Sequence, residues 1–145
     1  MIKTLYLGID PGKSGALALV DECGEHVDTF RLAKTLHDVS DWLKTYRDRV
    51  LFACLEKVHS MPKQGVTSSF KFGESFGFCQ GMLVGESIPY DLVTPQKWQK
   101  LMGCRTRGDK NVSKSRAQQL WPKIKIVHAI ADALLIAEYA RRIRV

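Results

Sequence analysis

The sequence predicts an α/β domain built on a mixed β-sheet, and three observations carry that expectation. The stretch Leu5–Val20 reads as strand, tight turn and returning strand, because two short apolar runs flank a turn that holds Pro11, Gly12 and Gly15. After the turn Asp21–Gly24, the alternating segment His26–Leu32 extends this hairpin into an antiparallel meander of three strands. An amphipathic helical pattern then separates the meander from a continuous apolar run, Val50–Glu56. A crossover of that kind places the fourth strand parallel to the first and beside it.

The remaining elements follow in order. Between Thr35 and Asp48, Leu36, Val39, Trp42, Leu43 and Tyr46 recur at helical spacing, giving one apolar face to lay on the sheet. Val50–Glu56 has the unbroken apolar character of a central strand covered on both faces. The polar loop Lys57–Gly65 leads into a long helix from about Val66 to Glu86, in which Gly73, Gly77, Gly81 and Gly85 recur every fourth residue. Each mid-helix glycine costs about 1 kcal/mol relative to alanine, so a bare stripe calls for a closely packed backbone opposite, from the sheet or a second subunit. Phe70, Phe72, Phe76 and Phe78 are expected mostly in the core, with one exposed ring a candidate wedge against bases. Pro89–Thr94 is a fifth strand, and Thr94 caps a short helix with Pro95 at its first position. A basic turn, Gly103–Gly108, precedes a helix from Asp109 to Trp121, and an alanine- and leucine-rich helix runs from His128 to Ala140.

Length and composition bound the function. A chain of 145 residues, 45% hydrophobic and 26% charged, is expected to form a single domain over residues 1–145. It contains no apolar run long enough to span a bilayer, and its first residues enter a strand pattern directly, so a soluble, cytoplasmic protein without a membrane partner is expected. Cys23, Cys54, Cys79 and Cys104 are widely spaced, suggesting neither a zinc site nor a disulfide framework. The formal net charge of +7 is local in origin. Between Lys97 and Ile126 nine basic residues face Asp109 alone, an imbalance that suits a phosphate-bearing polyanion better than a merely solvated face. The candidate phosphate contacts are Lys97, Lys100, Arg105, Arg107, Lys110, Lys114 and Arg116.

Three acids mark candidate chemistry. Asp10 and Glu56 each end an apolar strand, and Asp132 lies within an apolar helix, where an ionised carboxylate is costly unless paired or metal-bound. Turn geometry explains Asp10 equally well, since Asp-Pro-Gly is a favoured turn opening. His128 lies four residues before Asp132 and shares its helix face, whereas Glu138, near the tail, is expected to be solvated. Three acids at element ends plus one imidazole suit hard divalent cations and phosphodiester chemistry.

With these residues in view, the Gly-Ile-Asp10-Pro-Gly-Lys-Ser-Gly opening, the Leu-Glu56-Lys-Val-His strand end, Val-Thr-Pro-Gln-Lys-Trp, Asp-Lys110 with Ser113, and His128-Ala-Ile-Ala-Asp132-Ala-Leu-Leu together resemble RuvC-type Holliday junction resolvases of the phage and prophage branch. The resemblance implies an RNase H-like fold with a five-stranded mixed sheet, helices on both faces, and a homodimer acting on four-way DNA junctions. It implies that Asp10, Glu56, His128 and Asp132 bind two Mg2+ ions, with Mn2+ as a substitute, and that Lys110 lies near the scissile phosphate. Better-known cellular relatives place the last two ligands three apart, and here they are four apart, still on one helical face. The loop after Glu56, with His59 and Met61, matches the region that relatives insert at the junction centre. Rival readings are a nuclease of the same fold acting on RNA-DNA hybrids, forks or flaps, and a non-catalytic module that binds branched DNA. An actin-like ATPase shares the Gly-Ile-Asp opening but closes two such domains around a nucleotide, so no nucleotide cofactor is expected.

Overall fold

Alternation along the strands decides the architecture. The structure, a computed structural model, describes residues 2–57 and 63–144. Its sheet has the order β3-β2-β1-β4-β5, formed by β1 (Leu5–Asp10), β2 (Ala16–Asp21), β3 (His26–Arg31), β4 (Val50–Glu56) and β5 (Tyr90–Val93). β1, β2 and β3 pair as the expected antiparallel meander, while β4 runs parallel to β1 and β5 parallel to β4. The helices described are α1 (Leu36–Tyr46), α2 (Val66–Gly85), α3 (Pro95–Met102), α4 (Lys110–Leu120) and α5 (His128–Arg144). Among the described residues no helix is long and apolar enough to cross a membrane.

Side chains of successive strand residues point to opposite faces, so each buried strand feeds two cores. Leu5, Leu7, Ile9, Leu17, Leu19, Ala53 and Leu55 pack with Val39 and Leu43 of α1 and with Cys79, Met82 and Leu83 of α2. Tyr6, Ala16, Ala18, Phe52 and Cys54 pack instead with Trp98 of α3, Ala117 of α4 and the buried side of α5. By the same parity Asp10 and Glu56 belong to the face covered by α3, α4 and α5. Local chemistry sets the helix starts: Thr35 Oγ1 accepts from the Asp38 N–H, Thr94 Oγ1 from the Lys97 N–H, and Asp109 Oδ1 from the Asn111 N–H.

Helix α5 is pressed directly on β1. A methyl group at Gly8 would stand 2.2 Å from the Ala137 nitrogen and 2.3 Å from the Ala133 oxygen, both backbone atoms. Glycine is required here by the close approach of two backbones, and the small residues Ala133 and Ala137 complete the fit.

Two expectations are corrected and one is narrowed. The glycine stripe of α2 does not meet the sheet, since a methyl group at Gly73, Gly77, Gly81 or Gly85 would touch nothing within 4 Å. Phe70 and Phe72 are 68% and 40% exposed, because α2 turns only its Phe76, Phe78, Cys79, Met82 and Leu83 side toward the core. Glu138 is buried, not solvated: the inward face of α5 carries it under the sheet, and Arg141 and Arg142 close on its carboxylate at 2.6 and 2.7 Å. With both arginines on it the buried carboxylate is paired and hydrogen-bonded, which is why a tail acid can become part of the core. All four cysteines are free thiols, and Cys23 alone of them is exposed. His59 and Met61 lie outside the described residues.

The contact at Gly8 yields a stability prediction. Gly8→Ala should destabilise the protein by at least about 2 kcal/mol, since neither backbone can yield without moving α5 off the sheet. A chemical denaturation midpoint equal to wild type would contradict that packing.

Candidate active site

Register brings the first two acids together. β1 and β4 are parallel with Ile9 opposite Leu55, so Asp10 and Glu56, one residue further on, emerge at adjoining strand ends on the same face. Helix α5 begins over that end with His128, and Asp132 follows one turn later. Asp10, Glu56, His128 and Asp132 line one cleft of about 480 Å3 together with Lys110 and Ser113 of α4. The four residues read from the sequence as a set are therefore brought to one place, and Lys110 joins them there.

Burial and mutual repulsion dominate the electrostatics. Asp10 is raised well above the ordinary carboxylate range, first by burial and then by the charges of Glu56 and Asp132. Glu56 is pushed up to about 7, chiefly by burial, against the opposing pull of the Trp98 N–H and of Lys110. Asp132 is raised by burial and partly offset by a hydrogen bond with Ser113, by Lys110 and by His128. Asp10 and Glu56 are hydrogen-bonded to each other in a way that favours the proton on Asp10 and the charge on Glu56. Two carboxylates sharing one proton is the expected response of close acids that lack a cation.

Among the described residues no group of three or more acidic, imidazole or thiol side chains is already drawn into a metal-ligand cluster. The donor set nonetheless fits a divalent cation that prefers oxygen ligands. Three carboxylates are held half-buried in one cleft, each with its charged form disfavoured, and a cation there would relieve both desolvation and repulsion. Asp10, Glu56 and Asp132 would supply those oxygens, with His128 exposed at the cleft wall as a further donor.

Sequence reasoning gave three supporting residues no role at the site, although all three stand in the motifs quoted above. The Trp98 indole N–H donates to Glu56 Oε2 at 2.7 Å from a fully buried ring, fixing one carboxylate oxygen. Ser113, 2% exposed, donates to the Lys110 carbonyl at 3.2 Å, and its hydroxyl favours the charged form of Asp132. Gly8 sets the height of α5. A glycine inside an apolar strand was a readable signal for close approach, but nothing along the chain links Trp98 to an acid 42 positions earlier.

The basic residues surround the cleft unevenly. Lys97 and Lys100 on α3, Arg105 and Arg107 in the following turn, and Lys110 at the start of α4 are exposed, and Lys114 is half-buried. Arg116 is partly committed elsewhere: its Nε donates to the Met102 carbonyl at 2.9 Å, tying α4 to α3.

No protein-family model and no curated protein matches the chain. Solved structures do. The Thermus thermophilus RuvC structure aligns with a TM-score of 0.66 at 15% identity, covering 93% of this chain and 92% of that one. T. thermophilus RuvC in complex with Holliday junction substrate aligns with a TM-score of 0.65 at 14% identity, over 93% of this chain and 90% of that one. The fold is thus that of RuvC, an RNase H-like α/β fold with a five-stranded mixed sheet.

Two outcomes follow from the site. Because the three acids have raised pKa values when folded, the native state holds more protons than the unfolded chain between about pH 4 and 7. Their contribution to stability is therefore present below about pH 4 and is lost as pH climbs toward 7. In metal-free buffer the melting temperature of Glu56→Gln should exceed that of wild type by a margin that grows from pH 5 to pH 8, and Mn2+ should close the gap by stabilising wild type. A margin that shrinks with rising pH would refute the electrostatic account. Separately, Trp98→Phe keeps an aromatic ring at the site and removes the donor, so calorimetric Mn2+ affinity should fall about 10- to 100-fold with the fold retained. Unchanged affinity would mean that the indole merely fills space.

Proposed function

We propose that this chain is a metal-dependent, structure-selective DNA endonuclease that makes paired nicks in branched DNA, chiefly four-way junctions. The observation that carries this reading is the convergence of Asp10, Glu56 and Asp132, from two strands and a helix, on one cleft that also holds Lys110. Its neighbour of the same fold was solved with a Holliday junction substrate. Neither a bare DNA-binding module nor an adhesive surface accounts for three acids kept half-buried at an electrostatic cost beside a basic rim.

Asp10, Glu56, Asp132 and His128 would hold Mg2+ ions, two per site, with Mn2+ as a substitute. The chemistry supplied at such a centre is Lewis-acid: it neutralises charge on a phosphodiester and acidifies an attacking water. Trp98 keeps Glu56 in its orientation, and the Ser113 hydroxyl lowers the cost of charge on Asp132. Lys110 presents a positive charge toward the phosphate and stabilises negative charge that develops on its oxygens. Lys97, Lys100, Arg105, Arg107, Lys114 and Arg116 engage backbone phosphates of the duplex arms, which positions DNA without reading its sequence.

A homodimer supplies the second cut. Val66, Phe70, Gly73, Gly77, Gly81 and Val84 fall along one side of α2 at spacings of three and four, and all are exposed in the single chain. Two such faces crossing against each other let the backbones approach where the side chains are missing, offsetting the helix cost of the glycines.

The reading is tested with a labelled synthetic four-way junction. Wild type should nick opposing strands symmetrically with Mg2+ and not with chelator, and prefer the junction to an RNA-DNA hybrid. Asp10→Asn should bind and fail to cut, and binding should weaken about a thousandfold between about 50 and 200 mM salt. Gly77→Arg should sediment as a monomer and lose the pairing of nicks. Cutting that survives chelation, or by Asp10→Asn, would overturn the proposal.

A further inference from the structure

A second cavity adjoins the acidic cleft. It measures about 730 Å3, within the range of about 300–1,000 Å3 usual for ligand pockets, and lies between the turn after β1, the start of α1 and the first half of α2. Phe72 and Ser14 line both this cavity and the acidic cleft, so the two spaces meet across them.

The lining has two chemical characters. Leu32, Leu36, Phe72 and Phe78 give it apolar and aromatic walls. Lys13 and Lys71, both exposed, put ammonium groups at its edge against the single carboxylate of Glu74, and Thr67 and Ser68 add hydroxyls. Its base is fastened: the Gly12 N–H donates to Ser75 Oγ at 2.9 Å, tying the turn to α2. Gly12 also has a φ of +111°, and the Phe72 ring lies 3.3 Å from where a side-chain carbon there would stand. The ring therefore rests on the turn with 40% of its surface still exposed, braced on one side and open on the other.

A flat apolar face, hydroxyls and two cations match one unpaired nucleotide: a base to stack on an aromatic ring, and flanking phosphates for the lysines. We propose that this cavity receives one unstacked nucleotide of the DNA strand whose neighbouring phosphate lies in the acidic cleft, with Phe72 as the stacking surface. The assignment rests on the endonuclease reading above and adds to it a reason for structural selectivity. Duplex DNA must break stacking to fill the cavity, whereas a branch point already offers loosened bases, so the cost falls where strands exchange.

The test uses four-way junctions carrying the fluorescent adenine analogue 2-aminopurine at each position flanking the mapped cut, bound in Ca2+ so that the DNA stays whole. Wild type should brighten the probe at one position. Thr67→Trp, which fills the cavity from an exposed site, should abolish the brightening. Phe72→Leu should lower junction affinity about 5- to 150-fold, the equivalent of one base stacked on one aromatic ring, with Mn2+ binding unchanged. The exposed pair Lys13→Ala with Lys71→Ala should also lose the signal, and it does not depend on repacking. Brightening that survives these substitutions, or its absence from a wild-type protein that still cuts junctions, overturns this inference and leaves the endonuclease reading intact. A wild-type protein that neither binds nor cuts junctions overturns both.

Discussion

The closeness of α5 to β1 at Gly8 is the constraint on which the site depends. With the Ala133 oxygen and Ala137 nitrogen so near that no side-chain carbon fits between, the helix has one height above the sheet. That height carries His128 and Asp132 to the ends of β1 and β4 instead of past them. The buried ion pairs of Glu138 with Arg141 and Arg142 anchor the far end of the same helix, and the leucines and alanines between fill the core. One helix thus serves as the principal cover of the sheet and as the carrier of an acid.

Bringing those acids together works against folding. Each of the three carboxyls has its charged form disfavoured by burial, and Asp10 is raised further by the charges of Glu56 and Asp132, so assembling them carries a repulsion that the rest of the core must overcome. Buried donors restrain the arrangement without neutralising it. Trp98 holds one Glu56 oxygen through a hydrogen bond, Ser113 favours the charged form of Asp132, and Lys110 supplies charge from an exposed position. A centre preorganised in this way is receptive to a cation because the protein has already met the cost of assembling the ligands.

On α2, the side facing the sheet is an ordinary core face, while the opposite side carries Val66, Phe70 and the glycines into solvent. Phe72 lies between these two sides, braced on Gly12 at the boundary of the two cavities. The mixture of burial states explains why the helix has no clear amphipathic pattern in its sequence: one apolar side packs under the sheet and the other is exposed.

The sequence by itself determined the order and type of the elements, because strand alternation, the Thr94-Pro95 helix start and the turn glycines are local signals that act within a few residues. It also singled out Asp10 and Glu56 as carboxylates ending apolar runs, Asp132 as a carboxylate within an apolar helix, and His128 as its neighbour one turn away on the same face. Tertiary structure alone decided which of two plausible environments each ambiguous residue received. Glu138 became a buried ion-pair centre, Phe70 and Phe72 stayed outside the core, the glycine stripe found no partner within the chain, and Trp98 met Glu56. The physical reason is common to all four: a residue's burial and partners depend on which face of a helix lies against which strand, and that choice is made by packing between segments far apart in the chain.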